Sequence, residues 1–449
     1  MKKVYKAHIL FTKEKTRFEV LENGYVAVED GKVTGVASSL DELFPQSSAP
    51  SSQPDYELID FGNKLLIPAM NDMHVHAPQV HNQGVAMDLE LLPWLQNYTF
   101  PEESKYADIH YAERMYRRFL HTQWLFGTMR SVVFGTVHTE STRKLMHLYQ
   151  EAGMGALVGK VAMNRNCPDA LCEDVEAYVE GQESLIADAN VSTHDRSVDS
   201  SLCTLHSSLP PLVRPIITPR FVPSCTPELL RACGEMAKKY ELPVQSHLSE
   251  NTSEIAWVAE LEPESESYGD AYNRYGLFGQ TPTIMAHCVW TRGQELELMK
   301  RNGVMVAHCP TSNFNLSSGM APIRTLLDEG VRIGLGSDIS GGHDLNMFRM
   351  LVYAIQVSKM HYQLDHDKAF LTLPEAFWIA TKSAGSFFGK VGSFEPGYEF
   401  DALVIDDAVL YPDEYSLQHR LERFIYVGDD RQIVHRFCRG EEVKEPALV

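Results

Sequence analysis

The chain has 449 residues, which is long enough for one large α/β barrel or for about two to three ordinary domains. Its 40 lysines and arginines stand against 60 aspartates and glutamates, and a formal net charge of -20 repels phosphate backbones, which argues against a nucleic-acid-binding protein. No apolar run is long enough for a signal peptide or a membrane-crossing helix, and the eight cysteines form no tight framework. We therefore expect a cytoplasmic protein with reduced thiols that acts on a small molecule and binds neither nucleic acid nor membrane.

Both ends of the chain have the short β-prone runs and frequent turns of an antiparallel sheet. Residues 4–38 alternate such runs, and the sequences ENG (residues 22–24) and EDGK (residues 29–32) predict hairpin turns between them. The same style returns near the end, in GSFEPGYEFDALVIDD and IVHRFCRGEEV. We predict one small, discontinuous β-sandwich-like domain, built from residues 1–67 and 395–449.

The middle of the chain, residues 68–394, alternates short apolar runs with helical segments. The apolar runs are LLIPAMNDMHVH, SVVFGTVH, GALVGKVAM, VRPIITPRF, PVQSHL, TIMAHC, VMVAHCP and RIGLGSD. Helices are predicted at residues 227–240 and 291–302, and this β-α alternation is typical of a parallel sheet. Eight such units predict an α/β fold with a distorted TIM (β/α)8 barrel. Residues 47–54 and 192–211 are predicted to be loops.

Metal-capable residues fall at the carboxyl ends of the first, fifth, sixth, seventh and eighth apolar runs. They are His74, His76, His247, Glu250, His287, His308 and Asp338. Residues i and i+2 of a strand point to the same face, so the HVH pair can bind one ion, and a histidine and an aspartate from other strands can complete a site suited to zinc. Each residue alone has an ordinary structural explanation, such as a hydrogen-bonded core histidine or a turn aspartate. Their joint placement favours a metal site built from His74, His76, His247 and Asp338.

Glu250 stands three residues beyond His247, where the fifth strand gives way to a turn. A divalent ion can lower the pKa of a bound water from about 15.7 to about 7, and a neighbouring carboxylate is then needed to move protons. We predict that Glu250 is this general base and acid. The simpler interpretation, a glutamate that favours a helix N-terminus, is assigned to Glu254.

A second zinc pattern in the sequence is rejected on spacing. His138 and Glu140 have the H-x-E form found in one class of nucleobase deaminases, and Cys167 and Cys172 follow downstream. That class requires P-C-x-x-C, whereas here the proline follows the first cysteine and the second comes too late.

Several motifs resemble the amidohydrolase superfamily. They are HVH at residues 74–76, SHLSEN at 246–251, MAHC at 285–288, AHCPTSNFNLSSG at 307–319 and GLGSD at 334–338. Further segments narrow the resemblance to those members that deaminate guanine: HAPQ at 76–79, LPWLQNYTFPEE at 92–103, FGTVHTES at 134–141, TPRF at 218–221 and FIYVGDDRQI at 424–433. Together these segments extend from the first barrel strand to near the end of the chain.

The resemblance implies a homodimeric enzyme that converts guanine to xanthine and ammonia with one zinc ion per subunit. It implies catalytic roles for Glu250, His287 and Asp338, with His287 orienting the hydrolytic water. It implies substrate contacts from His76, Gln79, Arg220, Phe221, His247, Glu250 and Asp338. Glutamine and arginine suit this task, because an amide offers a donor and an acceptor and a guanidinium donates a fork of hydrogen bonds. Phe221, with Trp94, is expected to add an apolar wall.

The sequence departs from the superfamily pattern at a few positions. Cys288 stands where members commonly have glycine, and the residues after GLGSD, which include His343, match no family form. Lys160 raises the possibility of a carbamylated lysine bridging two metals, but the resemblance favours one metal. Two alternatives stay open: an aminohydrolase of the same superfamily acting on another purine, a pterin or a triazine, and a non-catalytic scaffold on the same barrel.

Overall fold

The computed structural model describes residues 2–45, 56–191, 210–365 and 369–448. The predicted loop at residues 47–54, and nearly all of that at 192–211, lie outside the described residues. In the part of the chain that is described, no helix has both the length and the apolar character that crossing a bilayer requires.

The secondary structure of the described residues is numbered in chain order. The strands are β1 (Lys3–Phe11), β2 (Glu19–Glu29), β3 (Lys32–Ala37), β4 (Glu57–Pro68), β5 (Met70–His76), β6 (Thr128–Phe134), β7 (Gly155–Gly159), β8 (Val161–Ala162), β9 (Val213–Pro215), β10 (Thr218–Pro219), β11 (Val244–Leu248), β12 (Thr283–His287), β13 (Met305–His308), β14 (Ile333–Leu335), β15 (Ala402–Ile405), β16 (Ile433–Cys438) and β17 (Glu441–Glu442). The α-helices are α1 (Leu40–Leu43), α2 (Leu91–Trp94), α3 (Phe100–Ser104), α4 (Ile109–Leu125), α5 (Thr139–Ala152), α6 (Val175–Val191), α7 (Pro227–Tyr240), α8 (Thr252–Leu261), α9 (Tyr268–Arg274), α10 (Gly293–Asn302), α11 (Pro310–Asn315), α12 (Ile323–Asp328), α13 (Met347–Asp365), α14 (Leu373–Trp378) and α15 (Leu417–Val427).

The two chain ends form one sheet, with the strand order β17-β16-β15-β4-β1-β2-β3. Strands β1 and β4 pair in parallel, and the other neighbours pair antiparallel. Aromatic side chains fill its core, where the ring of Tyr5 stacks on that of Phe400 with 4.8 Å between centroids. The prediction that both ends build one β unit is confirmed, whereas the division at residues 67 and 394 stays a prediction.

One of the two predicted hairpin turns is wrong. The sequence ENG lies inside β2, which continues to Glu29, and the pairing of β1 with β2 shifts register between Ala7 and Ile9. Asn23 has a φ of 51°, so the turn-prone residues make a β-bulge in a continuing strand rather than a reversal of the chain. The other turn is placed correctly, because β2 and β3 are joined by Asp30 and Gly31, both with positive φ as in a tight hairpin turn.

The eight predicted apolar runs supply parallel strands arranged in a ring. Strands β5, β6, β7 and β9 pair in that order, and β11 to β14 form a second parallel set. A parallel bridge from Ile217 to Val244 joins the two sets. On the other side, the backbone N–H of Asp338 donates to the carbonyl oxygen of His74 at 2.8 Å, so the end of the last run meets the first strand. The predicted barrel is confirmed, and its pairing is interrupted where β8 and β10 form a separate short pair.

The best-predicted helix shows why the sequence forms helices where it does. Helix α7 occupies the predicted range Pro227–Tyr240, with proline at its first turn, the side chain of Thr226 accepting from the N–H of Leu229, and two lysines in its last turn. These are the residues that satisfy free N–H groups and complement the helix dipole. Helix α10 begins at Gly293, two residues later than predicted.

A buried group of three charged side chains links the sheet to the barrel. The guanidinium of Arg130, on β6, donates to Asp401 at 2.5 Å and to Glu399 at 2.6 Å, just before β15. All three side chains are buried. Burial acts to raise the pKa of Glu399, but Arg130 and Arg439 outweigh it and hold that pKa below its ordinary value.

Candidate metal centre and active site

The four predicted metal ligands meet at the carboxyl ends of the barrel strands. We call His74, His76, His247 and Asp338 the metal cluster. The Nε2 atoms of His74 and His76 lie 3.1 Å and 3.4 Å from Oδ1 of Asp338. The Nε2 atoms of His76 and His247 are 3.2 Å apart. All four side chains sit in the barrel interior, and strand alternation places the first two on the same face.

The charge states in the metal cluster suit a cation. Burial, and then the neighbouring imidazoles, lower the pKa values of His76 and His247 well below the ordinary value, so these rings are neutral. Nδ1 of His247 lies 2.6 Å from the carbonyl oxygen of Arg220; that oxygen can only accept, so Nδ1 carries the proton and Nε2 presents a lone pair. Nε2 of His74 is buried, and its contact with Asp338 lacks hydrogen-bond geometry. A neutral imidazole whose Nε2 lone pair points inward is what a divalent metal ion requires of a histidine ligand.

Asp338 supplies the negative charge of the metal cluster. Burial acts to raise the pKa of this carboxyl, but His74, His287 and His76 outweigh burial and hold the pKa below its ordinary value. The carboxylate is therefore ionised. Two further groups of possible ligand atoms include His287, and within each group the atoms lie within 4.8 Å of one another: His74, His247 and His287, and His287, Cys309 and Asp338. The described residues thus contain a buried histidine and aspartate group able to hold a metal.

Glu250 and His287 lie beside the metal cluster. Oε2 of Glu250 is 3.4 Å from Nε2 of His287, whose other nitrogen, Nδ1, lies 2.9 Å from Oδ1 of Asn313. Oε1 of Glu250 accepts a hydrogen bond of 2.9 Å from the hydroxyl of Ser318. Burial raises the pKa of Glu250 to about 7. A carboxyl group with that pKa can both take up and release a proton at neutral pH.

The backbone at these strand ends adopts the left-handed conformation. His287 has a φ of 71°, Cys288 of 51° and Asp338 of 47°. Such a conformation turns the chain sharply. It costs most residues a free energy of order 1–3 kcal/mol, whereas glycine adopts it without that cost. Position 288, where superfamily members commonly have glycine, is left-handed in this chain, so glycine would suit it and Cys288 adopts the conformation at a cost.

The two predicted specificity residues are joined by a third residue that the sequence did not identify. Nε2 of Gln79 donates to Oε1 of Glu103 at 2.7 Å, and Nη1 of Arg220 donates to Oε2 of the same carboxylate at 2.6 Å. All three side chains are at most 4% exposed. We call Gln79, Glu103 and Arg220 the recognition cluster.

The metal cluster and the recognition cluster open into one pocket. Its polar lining includes His76, Gln79, Arg220, Glu250 and Asp338. Its apolar lining comes from Leu91, Trp94, Leu95, Phe221 and Leu316. The predicted apolar contributions of Trp94 and Phe221 therefore lie in the pocket wall. A few convergent polar groups on an apolar wall are typical of a site for a small molecule.

Other singled-out residues lie away from the pocket. His81 is exposed, as is His343, whose Nδ1 lies 3.1 Å from Nδ2 of Asn315. Lys160 is fully buried, and its ammonium binds Glu173. A lysine engaged in this way gives no support to a carbamylated bridge.

The cysteines of the rejected zinc pattern are paired with each other. Cys167 and Cys172 form a disulfide with 5.9 Å between their Cα atoms, which differs from the expectation that all cysteines are reduced. Sulfurs joined in this way cannot bind zinc as thiolates. The other described cysteines are free and buried: Cys225, Cys233, Cys288, Cys309 and Cys438.

Sequence analysis missed several residues that hold the functional groups in place. Asn313 contacts His287, and Ser318 contacts Glu250. Both lie within the motif AHCPTSNFNLSSG, so the motif indicated that this segment matters. Residue spacing does not show which side chains the two residues contact. Asp72 stands two residues before His74 on β5, and its Oδ1 accepts from the N–H of Ser337 at 2.9 Å. It thereby fixes the turn that carries Asp338.

Comparisons with known proteins agree with this geometry. The model of the amidohydrolase family matches residues 65–443. A guanine deaminase of Dictyostelium discoideum is 36% identical over 98% of this chain and 98% of its own length. A guanine deaminase of Escherichia coli strain K12 is 32% identical over 95% of this chain and 92% of its own length. The crystal structure of a guanine deaminase from C. acetobutylicum, with guanine bound in its active site, is 47% identical, covers 99% of this chain and 100% of its own, and superposes with a TM-score of 0.90.

Proposed function

The chain belongs to the amidohydrolase family, among its guanine deaminases, and on that premise we propose that it hydrolyses guanine to xanthine and ammonia in the pocket shared by the metal and recognition clusters. The observation that carries this proposal is that shared pocket. Groups suited to activating water and groups suited to holding a purine line the same cavity. A scaffold without catalysis would have no need of both.

We propose that one zinc ion is held by His74, His76, His247 and Asp338. The donor set is three neutral imidazoles and one carboxylate, which zinc accepts readily. When bound, zinc would supply the Lewis acidity that lowers the pKa of a coordinated water toward neutrality. The hydrogen bond from Nδ1 of His247 to the Arg220 carbonyl fixes the ring so that Nε2 faces inward.

Glu250 is proposed to carry the protons. Its Oε2, which lies 3.4 Å from Nε2 of His287, is the oxygen proposed to take up the proton, since Oε1 accepts from Ser318. Oε2 takes a proton from the water as its oxygen bonds to the carbon that bears guanine's amino group. As this bond forms, the double bond from that carbon to the neighbouring ring nitrogen opens and its electron pair goes to the nitrogen. The proton held by Glu250 then passes to the amino nitrogen as the C–N bond breaks and the ring double bond re-forms, and ammonia leaves. The remaining hydroxyl proton moves to the ring nitrogen, which completes the carbonyl of xanthine. His287, held by Asn313, lies close enough to Glu250 to orient the attacking water.

Gln79, Arg220 and Phe221 are proposed to bind the base. The amide and guanidinium supply hydrogen bonds along the edge of the purine, and the apolar wall with Trp94 covers its face. Holding the base in this way brings the reacting carbon next to the water and to Glu250. Such positioning is a large part of catalysis, because it converts a reaction between separate molecules into a reaction within one oriented complex.

The decisive experiment is ultraviolet detection of xanthine formed from guanine by the purified, zinc-loaded protein, run beside adenine and cytosine and paired with a metal assay. We expect turnover of guanine and neither of the other bases, with one zinc ion per chain. Guanine left unchanged while another aminated heterocycle is deaminated would refute the substrate but keep the hydrolytic chemistry. No turnover of any base by metal-loaded protein would favour the scaffold.

We also propose a homodimer, as the superfamily resemblance implies. Exposed apolar side chains on and before α15, among them Tyr411, Tyr426 and Val427, offer a surface for it. Light scattering on the purified protein should give about twice the chain mass of 50.6 kDa, and a monomeric mass would refute the dimer. The cytoplasmic location and the division into residues 1–67, 68–394 and 395–449 stay predictions.

A further inference from the structure

We propose that Glu103 is a positioning residue that fixes the hydrogen-bonding orientation of Gln79 and Arg220, and thereby determines which purine edge the pocket accepts. The proposal rests on the proposed function and deepens it. Glu103 does not line the pocket, so it acts through its two partners rather than on the substrate.

Glu103 is buried, and both of its carboxylate oxygens accept hydrogen bonds. One carboxylate oxygen accepts from the amide of Gln79 at 2.7 Å, and the other from the guanidinium of Arg220 at 2.6 Å. The three residues come from different parts of the chain, since Glu103 is 24 residues from Gln79 and 117 from Arg220. The carboxylate also neutralises a guanidinium that is only 3% exposed, and a buried charge without a partner is strongly destabilising.

The hydrogen bonds around Gln79 can run in only one direction. The backbone N–H of Ser340 donates to Oε1 of Gln79 at 3.0 Å, and a backbone N–H cannot accept. The amide oxygen of Gln79 must therefore face Ser340, and its NH2 group must face Glu103. This leaves one amide N–H of Gln79, together with the unused N–H groups of Arg220, for the substrate.

Only a carboxylate can occupy position 103 in this chain of bonds. An ionised carboxylate accepts at both oxygens, whereas a glutamine amide has one oxygen and one NH2 group. With glutamine at 103, either Gln79 or Arg220 would meet an N–H group instead of an acceptor. Turning the Gln79 amide over to compensate would bring its NH2 group against the N–H of Ser340.

The short helix α3 presents Glu103 to the site and holds its neighbour Glu102 elsewhere. Glu102 is as buried as Glu103, at 2% against 4% exposed, and binds Tyr111 and Lys105. The ring of Phe100, at the start of the same helix, lies 5.1 Å from the Arg220 guanidinium. Glu102 is therefore a matched control. It has the same residue type and similar burial as Glu103 and lies on the same helix, but its hydrogen bonds go to Tyr111 and Lys105 and not to the recognition cluster.

The test compares Glu103→Gln with Glu102→Gln in the zinc-loaded enzyme. We expect E103Q to lower kcat/KM for guanine by about 10²-fold, because misplacement of a bound reactant by about 1 Å has effects of that size. Its metal content should equal that of the wild type. E102Q should keep kcat/KM within about 2-fold, since its contacts do not reach the pocket.

A double-mutant cycle separates positioning from mere support of the fold. In a Gln79→Ala or an Arg220→Lys background, E103Q should lower kcat/KM by clearly less than in the wild type, because one of its two targets is already lost. A residue that only supports the fold would cost the same factor in all three backgrounds. That equal loss, or full activity of E103Q alone, would overturn the proposal.

A crystal structure of E103Q makes the test independent of the substrate. We expect the side chains of Gln79 and Arg220 to be displaced, and unmoved side chains would overturn the proposal. If the wild-type protein leaves guanine unchanged, the proposed function fails, and the crystal structure still decides whether Glu103 positions its partners.

Discussion

The metal cluster and the recognition cluster occupy the same pocket but are assembled in different ways. The three histidines of the metal cluster lie in the last residues of barrel strands, and Asp338 lies in the turn that follows β14, so each ligand is placed by the end of one strand. The recognition cluster uses a residue of the 3-10 helix Ala77–Asn82, a residue of the short helix α3 and a residue after β10, and the carboxylate of Glu103 joins the other two. The difference shows that the chemistry of this site is anchored in the barrel framework, whereas its specificity depends on contacts between distant connecting segments.

The largest expected effect is loss of the metal. His247→Ala, or prolonged chelation of the wild type, should lower guanine turnover by about 10⁴-fold or more, because water then keeps its high pKa. Zinc should restore the chelated wild type but not the variant. Turnover that survives at a measured zinc content near zero would contradict the role given to the metal cluster.

Glu250→Gln should lower kcat by about 10²- to 10⁴-fold, the usual contribution of a general acid and base. The side chain lies beside the metal cluster without completing it, so zinc content should stay near one per chain. Steady-state kinetics and metal analysis on the same preparation check both statements. Near-normal turnover would remove Glu250 from proton transfer.

Arg220→Lys should lower kcat/KM for guanine by about 10- to 100-fold, because a lysine lacks the fork that serves Glu103 and the substrate together. Zinc content should not change, which is the sharpest contrast with the metal cluster. The exposed Arg231 on α7 gives a control, since R231K should behave as the wild type. Loss of zinc from R220K would show that the two clusters are not independent.

The smallest effect is expected from Ser318→Ala. The Ser318 hydroxyl stabilises the charged form of Glu250 and so lowers its pKa, against the raising effect of burial. Removing it should raise that pKa, so more of Glu250 is protonated at a given pH and the acidic limb of kcat/KM moves to higher pH. We expect a loss of about 5-fold near neutrality, equivalent to one ordinary hydrogen bond. A pH profile that does not shift would show that Ser318 does not act on Glu250.

Much of the fold was predictable because its signals are local. The apolar runs marked the barrel strands, and helical composition with an apolar spacing near 3.6 marked α7 over its whole length. Prediction failed where a local signal had two structural solutions. At Asn23 a turn-prone residue forms a bulge because β2 continues its pairing with β1 on both sides. The spacing of Cys167 and Cys172 does not fit the P-C-x-x-C zinc motif, but the spacing alone does not reveal that the two sulfurs form a disulfide.

The sequence by itself determined which residues end the strands, and therefore which side chains a closed barrel directs at one ion. Alternation along a strand put His74 and His76 on one face, and the repeating β-α units brought His247 and Asp338 to the same rim. Only the tertiary structure decided the partners of those groups: Asn313 for His287, Ser318 for Glu250, and Glu103 for Gln79 and Arg220. The periodicity of a strand depends on residues that are neighbours in the sequence. The hydrogen bond between Arg220 and Glu103, 117 residues apart, depends on how the segments that connect the strands pack together.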